Sequence, residues 1–155
     1  MFADERRWSR HASSATACVG RTLCPAWAER YVKQPHDAVL ATVRHDGAPA
    51  AVPCWYAYSE GQLHFSMGAG AMRLRNIRRD PRVVLSVVAN DPPRHVSLSG
   101  VAITIRPDPE LEDIDHLSRH YQGREWHERG STDMTTVVVE VRRWVAFGFH
   151  EVADN

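Results

Sequence analysis

The 155-residue sequence lacks an excess of charge, a long apolar run and a paired cysteine motif. Its 19 Lys and Arg residues are balanced by 19 Asp and Glu residues, which argues against a nucleic-acid binder with a generally basic surface. No run of about 18 apolar residues is present, so no membrane span is expected. The three cysteines, Cys18, Cys24 and Cys54, form no CxxC pair, and their odd number favours a reducing, cytoplasmic location over a disulfide framework.

Lysine is almost absent, because 18 of the 19 basic residues are arginines and only Lys33 is a lysine. Part of the arginine content is therefore a chain-wide bias. A local concentration stands out all the same, formed by Arg73, Arg75, Arg78, Arg79 and Arg82. These arginines follow a Gly-Ala-Gly turn and occupy a short helical segment, so backbone N–H groups, a helix N-terminus and guanidinium groups would converge there. The segment predicts a site for an anionic ligand; the alternative is that these arginines form one solvated face of a helix.

The rest of the chain has the pattern of one mainly β domain. Six strands are predicted near residues 38–44, 49–58, 63–67, 83–88, 95–105 and 135–141, and the last strand could continue to residue 149. Helices are predicted near residues 25–33, 71–79 and 110–121. Tight turns join most strands, and Pro53 indicates an edge or a bulge of the kind that often borders a ligand. We therefore expect an antiparallel barrel in residues 31–155 and a flexible N-terminal extension in residues 1–30.

Motifs for other chemistries are incomplete. Gly68-x-Gly70 follows a strand and opens a helix, as in a dinucleotide-binding fingerprint, but the third glycine is missing and hairpin-paired strands leave no room for a parallel crossover. His116 and His120 lie four residues apart on a helix, yet no third ligand has a recognisable spacing, so no metal site is predicted. No Ser lies in a GxSxG motif and no Cys neighbours a base, so no catalytic side chain is assigned.

Several segments, taken together and in order, resemble a known superfamily. They are the runs Val39 to Pro49, Pro53-x-Trp55, Leu63-x-Phe65-Ser66 and Arg73-x-Arg75-Asn76-Ile77-Arg78-Arg79-Asp80-Pro81-Arg82-Val83, and the similarity continues to the last strand, so that it covers residues 36–149. The pattern looks like the flavin/deazaflavin oxidoreductase superfamily. Within it, the chain is most similar to the pyridoxamine 5′-phosphate oxidase-like FMN-binding split barrels of the class that uses coenzyme F(420).

The resemblance implies a six-stranded antiparallel split β-barrel that forms a homodimer, with a cofactor site in each groove between the subunits. It implies coenzyme F(420) as the cofactor, with FMN as the alternative. Arg73 would contact the cofactor phosphate, and Ser66 and Met67 the tail or the ring edge. Position 71 is Ala, where some relatives carry a second basic residue. The residues expected at the cofactor are Val52, Pro53, Cys54, Trp55, Ser66, Met67, Arg73, Arg75, Asn76 and Arg78.

Three functions are compatible with this sequence. The first is a reductase that transfers a hydride from reduced F(420) to an electron-poor or unsaturated small molecule, with the cofactor rather than a side chain supplying the chemistry. The second is an FMN-dependent oxidoreductase on the same fold. The third is a non-catalytic carrier or sensor of a flavin-like ligand or haem. The long, carboxylate-bearing tail of F(420) favours the first, because outward arginines such as Arg78 and Arg79 would pair with it.

Overall fold

Alternating burial along the strands shows why this sequence forms a curved sheet around one core. The computed structural model describes residues 18–21, 25–90, 93–130 and 133–149. In the strand that ends at Gly68, for example, Leu63, Phe65 and Met67 are buried, while the residues between them are half-exposed, as expected where side chains alternate between the two faces of a strand. The elements, in chain order, are β1 Cys18–Arg21, α1 Ala26–Val32, β2 Asp37–Val43, β3 Pro49–Pro53, β4 Ala57–Ser59, β5 Gln62–Gly68, α2 Met72–Arg79, β6 Arg82–Asn90, β7 Pro93–Pro107, α3 Glu112–Gln122 and β8 Met134–Phe147.

The order of the strands requires the sheet to curl back on itself. All strand pairs are antiparallel and follow the path β3-β2-β6-β7-β8-β5-β4, with β1 paired to β8 beside this path. The two ends of the path, β3 and β4, are joined by only three residues, Cys54 to Tyr56. Such a link spans at most about 14 Å, so the two edges must lie close together. The fold is therefore an antiparallel barrel that is split at this link.

The mainly β split-barrel class predicted from the sequence is confirmed, but the number of strands is not six. The path contains seven strands and β1 is an eighth. The strand predicted at 49–58 is interrupted at the link, where the Tyr56 N–H donates to the Tyr121 hydroxyl instead of to a neighbouring strand. Strand β1 lies within the expected N-terminal extension, and α1 crosses residue 30 with Ala28 fully buried. The domain boundary at that residue stays a prediction.

The longest pairing in the barrel joins β7 to β8, and a glycine sets its register. A Cβ atom on Gly100 would lie 2.4 Å from the backbone oxygen of Glu140 and 2.6 Å from Cγ1 of Val139. The register shifts between Ser99 and Gly100, as at a β-bulge. Only a residue without a side chain allows the two strands to approach this closely.

Helix α2 is fixed to the barrel by its inner face. Leu74 and Ile77 are buried in the core, and the Asn76 side-chain amide donates to the Thr42 hydroxyl on β2 at 3.0 Å. The helix ends before Asp80-Pro81, as the sequence predicts. Hydrogen bonds from Arg82 hold the pKa of the Asp80 carboxyl at about 2. None of the described helices is long and apolar enough to cross a membrane.

Candidate active site

A cleft of about 780 Å³ lies beside the link between β3 and β4. Its walls come from the end of β3 and the link, from the end of β5 and the turn before α2, and from the start of β2. Helix α3 and the segment that follows it complete the lining. The volume is of the order found for sites that hold drug-sized ligands or cofactors, ~300–1,000 Å³. The split in the barrel therefore creates the principal cavity of the described residues.

One wall of the cleft carries polar atoms that lack partners. Nε of Arg73 and Oγ of Ser66 are both buried, and neither has a hydrogen-bond partner. Both residues line the cleft. A buried donor without an acceptor costs about 1–3 kcal/mol, so an acceptor bound in the cleft would stabilise this arrangement. A guanidinium and a hydroxyl group are suited to the oxygens of a phosphate or carboxylate.

The turn before α2 adds backbone groups to the same wall. Gly68, Ala69 and Gly70 line the cleft, and no side chain caps the start of the helix. An added Cβ at Gly68 or Gly70 would meet no atom within 4 Å, so open space rather than internal packing surrounds both glycines. The N–H groups of Ala69 and Ala71 already donate to the carbonyls of Asp133 and Gly68, so the positive end of the helix dipole is the feature of this turn that favours a negatively charged group.

Aromatic side chains form another wall. The rings of Trp55 and Tyr121 stack with their centroids 5.2 Å apart and their planes 13° apart, and Trp126 meets Trp55 edge-on at 5.9 Å. The Tyr121 hydroxyl accepts a hydrogen bond from the Tyr56 N–H at 3.4 Å and donates to the His36 carbonyl at 3.1 Å. Because this hydroxyl joins α3 to the link and to the residue before β2, it holds three parts of the cleft together.

The titratable groups beside the link are held in their neutral forms. Burial raises the pKa of Tyr121 and of Tyr56, and both hydroxyl protons are donated to backbone carbonyls, that of Tyr56 to Gln34. Burial also raises the pKa of the Cys54 thiol to about 11, although the charge of Arg73 acts in the opposite direction. At neutral pH Cys54 is therefore a thiol, which is a weak nucleophile, and the geometry favours binding over covalent chemistry.

The segment after α3 is tied down by a carboxylate. Asp115 accepts a hydrogen bond from the Trp126 N–H at 2.9 Å and two from the Arg129 guanidinium at 2.8 and 2.9 Å. Burial alone would raise the pKa of Asp115, but these hydrogen bonds outweigh burial and the pKa is lowered. Asp115 thus fixes the segment that brings Trp126 and Glu128 to the cleft.

The structure brings six of the ten residues expected at the cofactor to the cleft and leaves four outside its lining. Those that line it are Pro53, Cys54, Trp55, Ser66, Met67 and Arg73. The other four are Val52, Arg75, Asn76 and Arg78. Among these, the Arg75 guanidinium donates to the Gly70 carbonyl at 3.0 Å, the Asn76 amide bonds Thr42, and Arg78 is exposed. Contacts of these four residues with a cofactor stay predictions.

Sequence reasoning missed the part of the lining that α3 and the following segment supply. Ile114, Leu117 and Tyr121 share one face of α3 and line the cleft together. Their helical spacing predicts a buried face, but not the cavity against which that face packs. His36 also lines the cleft, and no motif in the sequence identifies it.

A split antiparallel barrel with a cleft of cofactor size at its gap is the architecture of a class of flavin-type cofactor-binding proteins. Residues 25–147 match the pyridoxamine 5′-phosphate oxidase family. The chain therefore belongs to that family, and its fold fits the flavin- and deazaflavin-binding oxidoreductases. No curated protein is significantly similar to the chain.

Solved structures support the assignment. An F(420) reductase is 29% identical, with a TM-score of 0.73 over 78% of this chain and 98% of its own. A conserved hypothetical protein from Mycobacterium tuberculosis is 24% identical, with a TM-score of 0.68 over 87% of this chain and 94% of its own. An FAD-binding protein from Mesorhizobium loti is 19% identical, with a TM-score of 0.59 over 86% of this chain and 99% of its own. The latter two establish the fold alone.

Replacement of Asp115 by Asn is expected to loosen the aromatic wall. The pKa of Asp115 is lower in the folded state than in the unfolded state, so its stabilisation is complete above about pH 4 and is lost as the pH falls through the folded-state pKa. At pH 7, Asp115→Asn should lower the thermal midpoint by about 2–4 °C. The difference in thermal midpoint between the variant and the wild type should shrink in acid. Thermal unfolding of both proteins at pH 7 and pH 3 measures this difference. A difference that is the same at both pH values would contradict this role for the carboxylate.

Proposed function

We propose that this protein is a reductase that transfers a hydride from reduced coenzyme F(420) to an electron-poor or unsaturated small molecule. The observation that carries the proposal is the pair of unpartnered buried atoms, Arg73 Nε and Ser66 Oγ, in a cleft of cofactor size. The similarity to an F(420) reductase over 98% of that chain supports it. The proposal concerns the cofactor and the reaction type, and FMN is the alternative that the experiment below separates.

The residues of the cleft fit a deazaflavin cofactor. Arg73 and Ser66 would bind phosphate oxygens beside the open backbone of residues 68–70. Pro53, Cys54 and Trp55 would lie along the ring, since all three line the cleft at the link. Arg75 and Arg78 of α2 would reach only a ligand that extends beyond the cleft, as the carboxylate-bearing tail of F(420) does. A ligand with a single phosphate would leave Arg75 and Arg78 without a contact to the cofactor.

When bound, the reduced cofactor supplies the hydride, and the chain binds, orients and shields the reactants. Reduction of the substrate would require a hydride at an electron-poor carbon and a proton at the adjoining atom, and the bound reduced cofactor would supply the two electrons. The hydroxyl protons of Tyr56 and Tyr121 are already donated to Gln34 and His36. We therefore assign the proton to solvent that enters the cleft and not to either tyrosine.

The proposed enzyme is a homodimer, and an apolar surface next to the cleft supports this. Val39 on β2 and Val84 and Val88 on β6 are each between 36% and 37% exposed. They belong to the outward face of two paired strands. Val39 and Val88 also line the cleft, so a second copy on this face would close the cofactor site. Exposed valines in adjacent strands are costly unless a partner covers them.

Replacement of Arg73 by Gln is expected to weaken F(420) binding by about tenfold or more, since a hydrogen bond to a charged group contributes about 1.5–3 kcal/mol. Fluorescence anisotropy titrations with F(420) and with FMN measure the effect. Arg44→Gln, an exposed arginine outside the lining of the cleft, is the matched control and should leave the affinity unchanged. Arg78→Gln tests the proposed contact with the tail.

The same titrations decide between the two cofactors. Tight binding of F(420), weak binding of FMN and a loss that is specific to Arg73→Gln support the deazaflavin reductase. A preference for FMN transfers the proposal to an FMN-dependent oxidoreductase. Equal loss in Arg73→Gln and Arg44→Gln would mean that general charge, rather than the cleft, drives the binding, and the proposal would fail.

Replacement of Val84 by Glu is expected to convert the dimer to a folded monomer, because the new carboxylate would be buried at the interface. Analytical ultracentrifugation measures the mass, and circular dichroism confirms the fold. Ile103→Glu is the control, since Ile103 is 48% exposed on β7 and does not belong to the valine face. A wild-type protein that sediments as a monomer would exclude the dimer.

A further inference from the structure

Three neighbouring residues, of which His36 lines the cleft, share an unusual property. Tyr31 on α1, His36 just before β2 and Arg94 on β7 each have a buried polar side-chain atom without a hydrogen-bond partner: the Tyr31 hydroxyl, His36 Nε2 and Arg94 Nε. Buried polar atoms in native proteins nearly always have partners. Three orphaned atoms on neighbouring side chains therefore indicate a missing common partner.

The three side chains form one contiguous cluster. The rings of Tyr31 and His36 stack with their centroids 4.2 Å apart. The Arg94 guanidinium carbon lies 5.3 Å from the centre of the Tyr31 ring and 5.7 Å from that of Phe149. These contacts occupy the faces of the guanidinium, but its N–H donors point outward in its plane. The ring contacts thus explain how Arg94 is held, while its buried Nε has no hydrogen-bond partner.

The chemistry of the cluster is that of a donor set for an anion. Arg94 and the Tyr31 hydroxyl donate hydrogen bonds, and His36 donates in its Nε2–H tautomer. The charge of Arg94 acts on both neighbours: it adds to the effect of burial in lowering the pKa of His36, and it opposes the burial that raises the pKa of Tyr31. The charge of Asp37 acts on the pKa of His36 in the opposite direction and raises it.

We propose that Tyr31, His36 and Arg94 form a second oxyanion-binding site, separate from the one at Arg73. Its ligand is a carboxylate or phosphate group that accepts from the three unpaired donors. Because His36 also lines the cleft, the site can hold an anionic group of a molecule that extends out of the cleft, or a free anion. The site does not depend on the identity of the cofactor and so goes beyond the proposed function.

The test is isothermal titration of the full chain with inorganic phosphate, carried out in an Arg73→Gln background so that the wall containing Arg73 does not contribute. In this background, Tyr31→Phe and Arg94→Gln are each expected to reduce the affinity for phosphate by about tenfold, the effect of a lost hydrogen bond to an anion. Acetate in place of phosphate shows whether a carboxylate is also bound, and the same two variants should weaken that binding too.

Two controls separate binding from folding. Tyr31→Phe removes an unpaired buried hydroxyl, so the thermal midpoint without phosphate should not fall. Tyr56→Phe removes a buried hydroxyl that is paired with the Gln34 carbonyl, and it should lower stability while it leaves phosphate affinity intact. The proposal is overturned if phosphate and acetate both fail to bind in the Arg73→Gln background. It is also overturned if Tyr31→Phe and Arg94→Gln bind as tightly as the parent, since water would then satisfy the three donors.

Discussion

The pairing of β8 with its neighbours is the constraint on which the rest of the structure depends. Strand β8 pairs with β7, β5 and β1, and the close approach at Gly100 bends the long β7 strand against it. Strand β5 is aligned by this pairing, with Ser66 opposite Thr136. The position of Ser66 in the cleft therefore follows from the register of a strand some 70 residues later in the sequence, because one slipped residue would turn its side chain to the other face.

The cleft exists because the two ends of the sheet path meet without pairing. Only the three-residue link closes the barrel there, and Tyr121 compensates by bonding the link and the residue before β2. The anion-binding wall and the aromatic wall are built by different parts of the chain. In the proposed function, this separation would allow a charged cofactor group and an uncharged reactant to occupy one cavity, since each would meet a wall of its own polarity.

Local signals in the sequence predicted much of the fold and the position of Arg73. The end of α2 before Asp80-Pro81 and the place of Arg73 after the glycines are both encoded by neighbouring residues, and Arg73 lines the cleft. The aromatic wall was beyond such reasoning, because Tyr121 reaches Tyr56 and His36 across 65 and 85 positions. Pro53 indicated an edge or a bulge, but the full break in the strand after it was missed for the same reason, because the partner of the Tyr56 N–H lies on α3.

The proposed function depends on the Arg73 Nε–H, a buried donor without a partner that would donate to an oxygen of the cofactor. The most direct measurement is the proton and nitrogen chemical shift of arginine Nε–H groups during titration with F(420). The Arg73 resonance is expected to move downfield and to exchange more slowly with water at saturation, while that of Arg44, which is exposed and lies outside the lining of the cleft, should change little. If the Arg73 resonance stays unchanged at saturating F(420), the proposed hydrogen bond from Arg73 to the cofactor does not form.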